Sequence, residues 1–341
     1  MKNFLVILLI LGLAVAGYAY YRVAGSSVFV DPPAETAILL VPENADYEQI
    51  KDSLRALSVR VDDPVFDQLA ARMAYRRDRM RSGRFRIKTT WSALRLLRHL
   101  RGGAQEPVDV VLTTEREPMN VAAKVARFLS ADSAAFQQLF QDRNYLDSIG
   151  YSKETLQSLF LPNTYEMYWN TSPRGFTDRM LREHAKFWDA DNRRAKANKL
   201  NLDPAKAYTL ASIVEKETQY KPERRRMAGV YLNRLKIGMP LQADPTAVFA
   251  TRDFNVGRVL QYHTQFDSPY NTYKYAGLPP GPITMSSVDA IDAVLNAENH
   301  KYLFFCAAGD GTGKHNFAET LQGHARNIQI YVDNLRQRGL R

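Results

Sequence analysis

An uncharged run of 18 residues, Phe4 to Tyr21, constrains this chain more than any other feature. As an α-helix it comes close to the ~20 residues that cross the hydrocarbon core of a bilayer. Lys2 precedes it, Tyr18, Tyr20 and Tyr21 supply rings suited to the headgroup region, and Arg22 closes it. The rival reading is a cleaved signal peptide with Ala14-Val15-Ala16 as its small-residue site. The run is long for the apolar part of a signal peptide and its leading segment carries little charge, which favours an uncleaved anchor. Either reading exports the remaining chain, and no second segment returns it. The net charge of +10 calls for an anionic partner. Export removes nucleic acid from the candidates and leaves headgroups or an acidic polymer.

The remaining chain reads as α+β, large enough for about two or three domains. Residues 1–23 form the anchor and 24–36 a Pro-containing tether (Asp31-Pro32-Pro33). A small module at 37–103 follows in β-α-α-β order with a trailing helix: a strand at 38–41, helices at 47–57 and 64–81, a strand at 84–87 and a helix at 90–100. Its basic run (Arg72, Arg76, Arg77, Arg79, Arg81, Arg84 and Arg86) either faces anionic headgroups or is a solvated face paired with Asp67 and Asp78. Residues 104–150 connect to a second region at 151–341. A strand at 108–113 and helices at 120–129 and 133–141 are expected in the connection, and an aromatic, turn-rich segment at 161–169 and a helix at 173–200 in the second region. Helices at 222–235 and 286–297 and a hairpin at 302–317 complete it. The helix at 222–235 should turn Glu223, Arg224, Arg225 and Arg226 outward. The lone cysteine, Cys306, lies in an apolar run and reads as buried.

The chemistry centres on a helix opening at Asp203, a capping residue, with Pro204 at its first position. Leu210, Ile213, Val214 and Glu217 share one face. A carboxyl at the end of an apolar stripe is desolvated, so its pKa rises and it can hold a proton near neutrality, as a general acid must. An ordinary surface Glu in a last helical turn is the competing reading. Glu215, two residues back, falls on the opposite and wetter side. Downstream loops at 240–246, 268–273 and 277–283 combine aromatic rings, amides, hydroxyls and prolines, which suits sugar rings and equally suits ordered loops. Gly309-Asp310-Gly311-Thr312-Gly313 lacks the helix and Lys-Ser/Thr of a phosphate loop and reads as a hairpin turn. His99, His184, His263, His300, His315 and His324 form no metal-binding spacing, and no Gly-x-Ser-x-Gly elbow occurs. A carboxylic-acid site without metal or cofactor remains.

These residues carry a resemblance. Leu210-Ala211-Ser212-Ile213-Val214-Glu215-Lys216-Glu217-Thr218, Tyr231-Leu232-Asn233-Arg234-Leu235, Leu241 to Thr246, Tyr270-Asn271-Thr272-Tyr273 and Gly277 to Ile283 are similar, in order and spacing, to segments of the endolytic murein transglycosylases, the YceG-like family. The resemblance implies an anchored enzyme with a LysM-like module at about 37–103 and Glu217 as the essential acid. It implies cleavage of the bond from N-acetylmuramic acid to N-acetylglucosamine in nascent peptidoglycan, leaving 1,6-anhydro ends. Gln242, Asp244, Thr246, Tyr270, Asn271, Thr272, Tyr273, Pro280 and Gly281 would bind the glycan. Membrane-bound peptidoglycan synthases would be partners, at the bacterial inner membrane with the catalytic part on the periplasmic side. Asn163 stands where the family usually has Asp, and Glu166 is the leading second acid should one be needed. A lysozyme-like hydrolase and a non-catalytic scaffold are the alternatives.

Overall fold

The computed structural model describes residues 2–25, 28–31, 34–77 and 79–340. Pro32 and Pro33 of the tether, Asp78 as an arginine partner, and the side chains of Lys2 and Arg22 lie outside what is described. The chain forms two compact units. One comprises Met1–Val110, Phe128–Ala131 and Glu166–Ser172, and the other Val111–Arg127, Asp132–Tyr165 and Pro173–Arg341.

The first unit opens with α1 (Lys2–Ala24), whose segment Phe4–Tyr21 has a mean hydropathy of 2.2 and no buried share. It is long and apolar enough to cross a membrane. Then come β1 (Thr36–Val41), α2 (Tyr47–Ala56), α3 (Pro64–Arg72), β2 (Gly83–Lys88) and α4 (Ala93–Gly102). β1 and β2 pair antiparallel with Leu39 opposite Phe85 and Ala37 opposite Ile87. Alternation along both strands sends Leu39, Val41, Phe85 and Ile87 inward, onto Leu54, Phe66, Leu96 and Leu97. Asp46 caps α2 in a reciprocal box with Gln49, Asp63 caps α3 ahead of Pro64, and Ser92 caps α4.

The helix expected over 64–81 stops at Arg72. Ala74 adopts a left-handed conformation (φ 50°) and Tyr75 N–H bonds back to the Ala70 carbonyl, so Tyr75 turns into the core. The basic run is therefore not a helix face. Arg76 pairs with Asp67 at 3.1 Å, Arg84 and Arg86 with Glu106, and Arg81 donates to the Gly103 carbonyl.

β3 (Pro107–Leu112) pairs with β4 (Asn163–Tyr168), the aromatic segment that the sequence marked as irregular. The second unit continues with α5 (Pro118–Val125), α6 (Ser133–Gln141), α7 (Arg143–Ser148), α8 (Pro173–Asp189), α9 (Arg193–Lys199), α10 (Pro204–Glu217), α11 (Arg224–Lys236), α12 (Asp244–Thr251), α13 (Gln261–Gln265) and α14 (Val288–Leu295). The hairpin of β5 (Phe304–Ala307) and β6 (His315–Ala318) and the helix α15 (Leu321–Gln337) end the unit. The expected single helix over 173–200 is two. Asp191 and Asn192 take left-handed φ of 54° and 57°, which their side chains tolerate, and Arg193 turns inward to Asp292 at 2.8 Å. α7, α12, α13 and α15 had no counterpart in the sequence reading, and α12 begins inside the loop expected at 240–246. Cys306 is half-buried rather than buried.

α10 is the centre of this unit. Every residue from Ala207 to Val214 is buried, so the helix has no wet side along that stretch. Its polar atoms are satisfied by tertiary partners. Tyr208 Oη donates to the Phe160 carbonyl (2.6 Å) and accepts from Ser286 N–H (2.9 Å), while Ser212 Oγ accepts from Ile283 N–H (3.0 Å). Glu215 is a structural carboxylate, not a wet-side residue. It accepts from the N–H and hydroxyl of Ser287 at the start of α14 and from Arg224 at 3.2 Å. Arg224 and Glu223 accordingly point inward, against the expected outward row. Arg224 reaches Glu215 and Asp289, and Glu223 accepts from His315.

Candidate active site

Glu217 is the last residue of α10. Thr218 leaves the helix in an extended conformation, so the final side chain projects past the helix end. Oε1 accepts a 2.6 Å hydrogen bond from the fully buried Tyr231 hydroxyl on α11. Oε2 has no hydrogen-bond partner among the described residues, and the carboxyl lines a pocket of 320 Å³ together with Arg116, Asp244, Phe249, Phe254 and Ile283.

Burial pushes the Glu217 pKa from 4.5 up to about 7. The Tyr231 hydroxyl and the nearby Arg234 guanidinium oppose that shift, and the Asp244 charge adds to it. Desolvation therefore outweighs the hydrogen bond, and the group carries a proton for about half the time at neutral pH. Arg234 donates to the Leu303 and Leu241 carbonyls, at 2.7 and 2.5 Å, so its charge is held in place as a fixed neighbour. Burial and the Glu217 carboxylate together raise the Tyr231 phenol well above its ordinary value, so it stays a donor.

The sequence-derived site residues divide into two groups. Asp244 lines the pocket with Glu217 and accepts from the Tyr273 hydroxyl; Gln242 is exposed and held by its N–H to the Thr272 carbonyl. Tyr270 packs its ring on Phe249 (4.8 Å between centroids) and lines an adjoining pocket of 220 Å³, and Pro280 is exposed. The others are interior. Asn271 is completely buried, with its amide nitrogen on the carbonyls of His263, Thr264 and Phe266. Thr272 accepts from Ala243 N–H and shares a 2.8 Å bond with the hydroxyl of Thr246. Gly281 packs so closely on the Glu154 backbone that a Cβ there would sit 1.9 Å from its carbonyl oxygen. These four residues fasten the loops that carry the exposed ones. Glu166 is exposed on β4 and does not line the pocket, and Asn163 bonds its own neighbour's N–H.

A model of the YceG-like family matches residues 39–330, a range that holds Glu217, Tyr231 and Asp244. The chain belongs to the YceG-like family. A Bacillus subtilis protein named endolytic murein transglycosylase is 34% identical over 183 residues, 53% of this chain and 49% of that protein. A family member of the same name from Streptococcus pneumoniae serotype 2 is 27% identical, covering 97% of this chain and 65% of that protein. The chain thus spans between half and two thirds of the length of these curated relatives. A 2.6 Å crystal structure of a YceG-like protein from Listeria monocytogenes superposes with a TM-score of 0.55 at 23% identity, covering 86% of this chain and 99% of that chain. That likeness is one of fold.

Sequence reasoning missed Tyr231, Arg116 and Phe254 as neighbours of Glu217 or its pocket in this YceG-like chain. Tyr231 had a usable signal, a polar tip on the apolar stripe of Met227, Val230 and Tyr231. Arg116 had none, since its place is fixed by stacking over the Phe254 ring at 3.6 Å, a contact between residues far apart in sequence.

Proposed function

We propose that this chain is a lytic transglycosylase of peptidoglycan, anchored in the inner membrane by Phe4–Tyr21 with the chain that follows the anchor on the periplasmic side. Residues 151–341 hold its chemistry, and the module at 37–103 is a LysM-like contact for glycan. The observation that carries the reading is a carboxyl with a pKa of about 7, gripped at one oxygen and open at the other to a pocket. The names of the curated relatives support the choice of substrate.

The Tyr231 hydroxyl occupies Oε1, so the transferable proton sits on Oε2. Glu217 gives that proton to the glycosidic oxygen between N-acetylmuramic acid and N-acetylglucosamine. The bond from the anomeric carbon to that oxygen breaks, the N-acetylglucosamine side leaves as an alcohol, and positive charge builds on the anomeric carbon. The muramyl 6-hydroxyl then bonds to that carbon and passes its proton to the Glu217 carboxylate, which restores the acid and leaves a 1,6-anhydro end. No water needs activation in this sequence. Gln242, Asp244, Tyr270, Tyr273 and Pro280 form the walls against which the sugars lie, while Thr246, Asn271, Thr272 and Gly281 hold those walls. Synthases that make new strands in the same membrane are the natural partners of an enzyme tethered there.

Asp244 beside Glu217 favours one second reading, a hydrolase in which that carboxylate assists water or the anomeric carbon. Mass spectrometry of products separates the two, because a reducing end weighs one water more than an anhydro end. Anhydro-ended muropeptides from wild type, and none from a folded Glu217→Gln variant, are the outcome the proposal requires. Reducing ends would replace it with the hydrolase, and undiminished release by the variant would remove Glu217 from the chemistry.

A further inference from the structure

We infer that the pocket adjoining Glu217's is a peptide subsite, which takes the amide- and carboxylate-bearing stem peptide of the strand being cut. The identity of the ligand rests on the transglycosylase reading; the site itself rests on geometry. The two pockets share Arg116 and Phe249 as lining, so a sugar seated in the first has a path for its substituent into the second.

The second pocket has an unusual set of uncommitted groups. Its lining holds three cations, Arg116, Lys153 and Arg252, and two carboxylates, Glu117 and Glu154. Arg252 is paired to Glu117, and Glu154 is turned onto the Ser152 hydroxyl at 2.6 Å. Arg116 and Lys153 have no ion pair among the described residues, so a positive excess faces the pocket. Gln157 adds a second, independent feature. It is 2% exposed, its amide nitrogen donates to the Glu115 carbonyl at 2.9 Å, and its Oε1 has no partner among the described residues. A buried acceptor left open in this way asks for a donor.

A strand stripped of its peptide could offer that donor from a hydroxyl and keeps the lactyl carboxylate on its muramyl ring, but it has neither the peptide N–H groups nor a carboxylate set away from the ring to reach both cations. A stem peptide supplies both at once: backbone N–H groups for Gln157 and a carboxylate for Arg116 and Lys153. The Phe249 and Tyr270 rings give its aliphatic part an apolar wall. The enzyme so built discriminates strands that still carry peptides from strands stripped of them.

The test uses full-length protein carrying Glu217→Gln, so that binding is read without cleavage. Calorimetry compares a muramyl-containing tetrasaccharide bearing stem peptides with the same tetrasaccharide after amidase treatment. The peptide-bearing probe should bind about 10- to 100-fold more tightly, the fold-change of one hydrogen bond to a charged group. Adding Lys153→Ala, an exposed position that should leave folding intact, should bring the ratio close to one. Equal affinities, no binding of either probe, or a ratio that Lys153→Ala leaves alone overturns the inference. If the ratio holds but wild type cleaves neither probe, the transglycosylase reading fails and the peptide subsite stands.

Discussion

Replacing Glu217 with Gln should stabilise the protein, and by an amount that depends on pH. The carboxyl has a pKa of about 7 when folded against 4.5 in its ordinary state. A raised folded value means that the folded state binds the proton more tightly than the unfolded one. Its effect is absent below the unfolded pKa, and stability is lost as pH climbs through the window from 4.5 to about 7. At 1.36 kcal/mol per unit, the loss above that window is about 3 kcal/mol. Gln cannot ionise, has nearly the same shape, and keeps an oxygen for the Tyr231 hydroxyl, so it escapes the loss. For a unit of this size that corresponds to a Tm difference of roughly 6–12 °C. Thermal unfolding of the variant and wild type, followed from pH 4 to pH 9, should give curves that coincide at the acid end, separate between pH 4.5 and about 7 in favour of the variant, and run parallel above that. A constant difference across the range would refute the reasoning, because it would mean that Glu217 titrates as an ordinary surface carboxyl. Activity should move oppositely: wild-type turnover falls about tenfold per unit above pH 7 as the acid form disappears.

Tyr231→Phe removes the one hydrogen-bond donor to Glu217 among the described residues and should raise the pKa of that carboxyl further, moving the alkaline limb of the pH–rate profile up by about one unit or more, as expected for a hydrogen bond to a charged group. A profile that stays in place would show that the bond does not tune the acid. Arg224→Ala leaves the partly buried Glu215 without its cation and should lower unfolding free energy by about 3 kcal/mol, measured by urea denaturation. Gly281→Ala places a methyl carbon 1.9 Å from the Glu154 carbonyl oxygen, so the loop must shift and activity on glycan strands should collapse along with a lowered Tm. Wild-type behaviour there would mean that the loop has slack the packing does not suggest.

What could be read from the sequence was what neighbouring residues decide. The positions of β1 and β2, the Asp203–Pro204 start of α10, the span of α6 and the length of the first helix all follow from patterns within a few residues. The placement of Glu217 at the end of an apolar helix face was legible for the same reason, since it is the one acid on that stripe. What escaped depends on distant partners. Glu215 looked wet because Ser287 and Arg224 cannot be foreseen beside it, and Arg224 looked like an outward charge until Glu215 and Asp289 were seen to receive it. The end of α3 at Arg72 turns on Tyr75 finding a place in the core, and the break between α8 and α9 on Arg193 finding Asp292. The loop motifs were legible as candidates, but which of their residues are exposed and which are interior was not. Asn271 has the chemistry of a sugar ligand, and only the three carbonyls converging on its amide reveal that it is already occupied.

That division explains how the acid can be kept at the end of a helix. A carboxyl is desolvated only if the groups around it hold still, since a loop that opens by an ångström or two lets water in and returns the pKa toward 4.5. Asp244, which borders the pocket, opens α12, and the residue just before it is tied to Thr272. Thr272 is bound to Thr246, and the neighbouring Asn271 fastens the chain from His263 to Phe266. Loosening Asn271 should therefore lower the pKa of a carboxyl it never touches, which ties the framework hydrogen bonds to the proton on Glu217 through water exclusion rather than through contact.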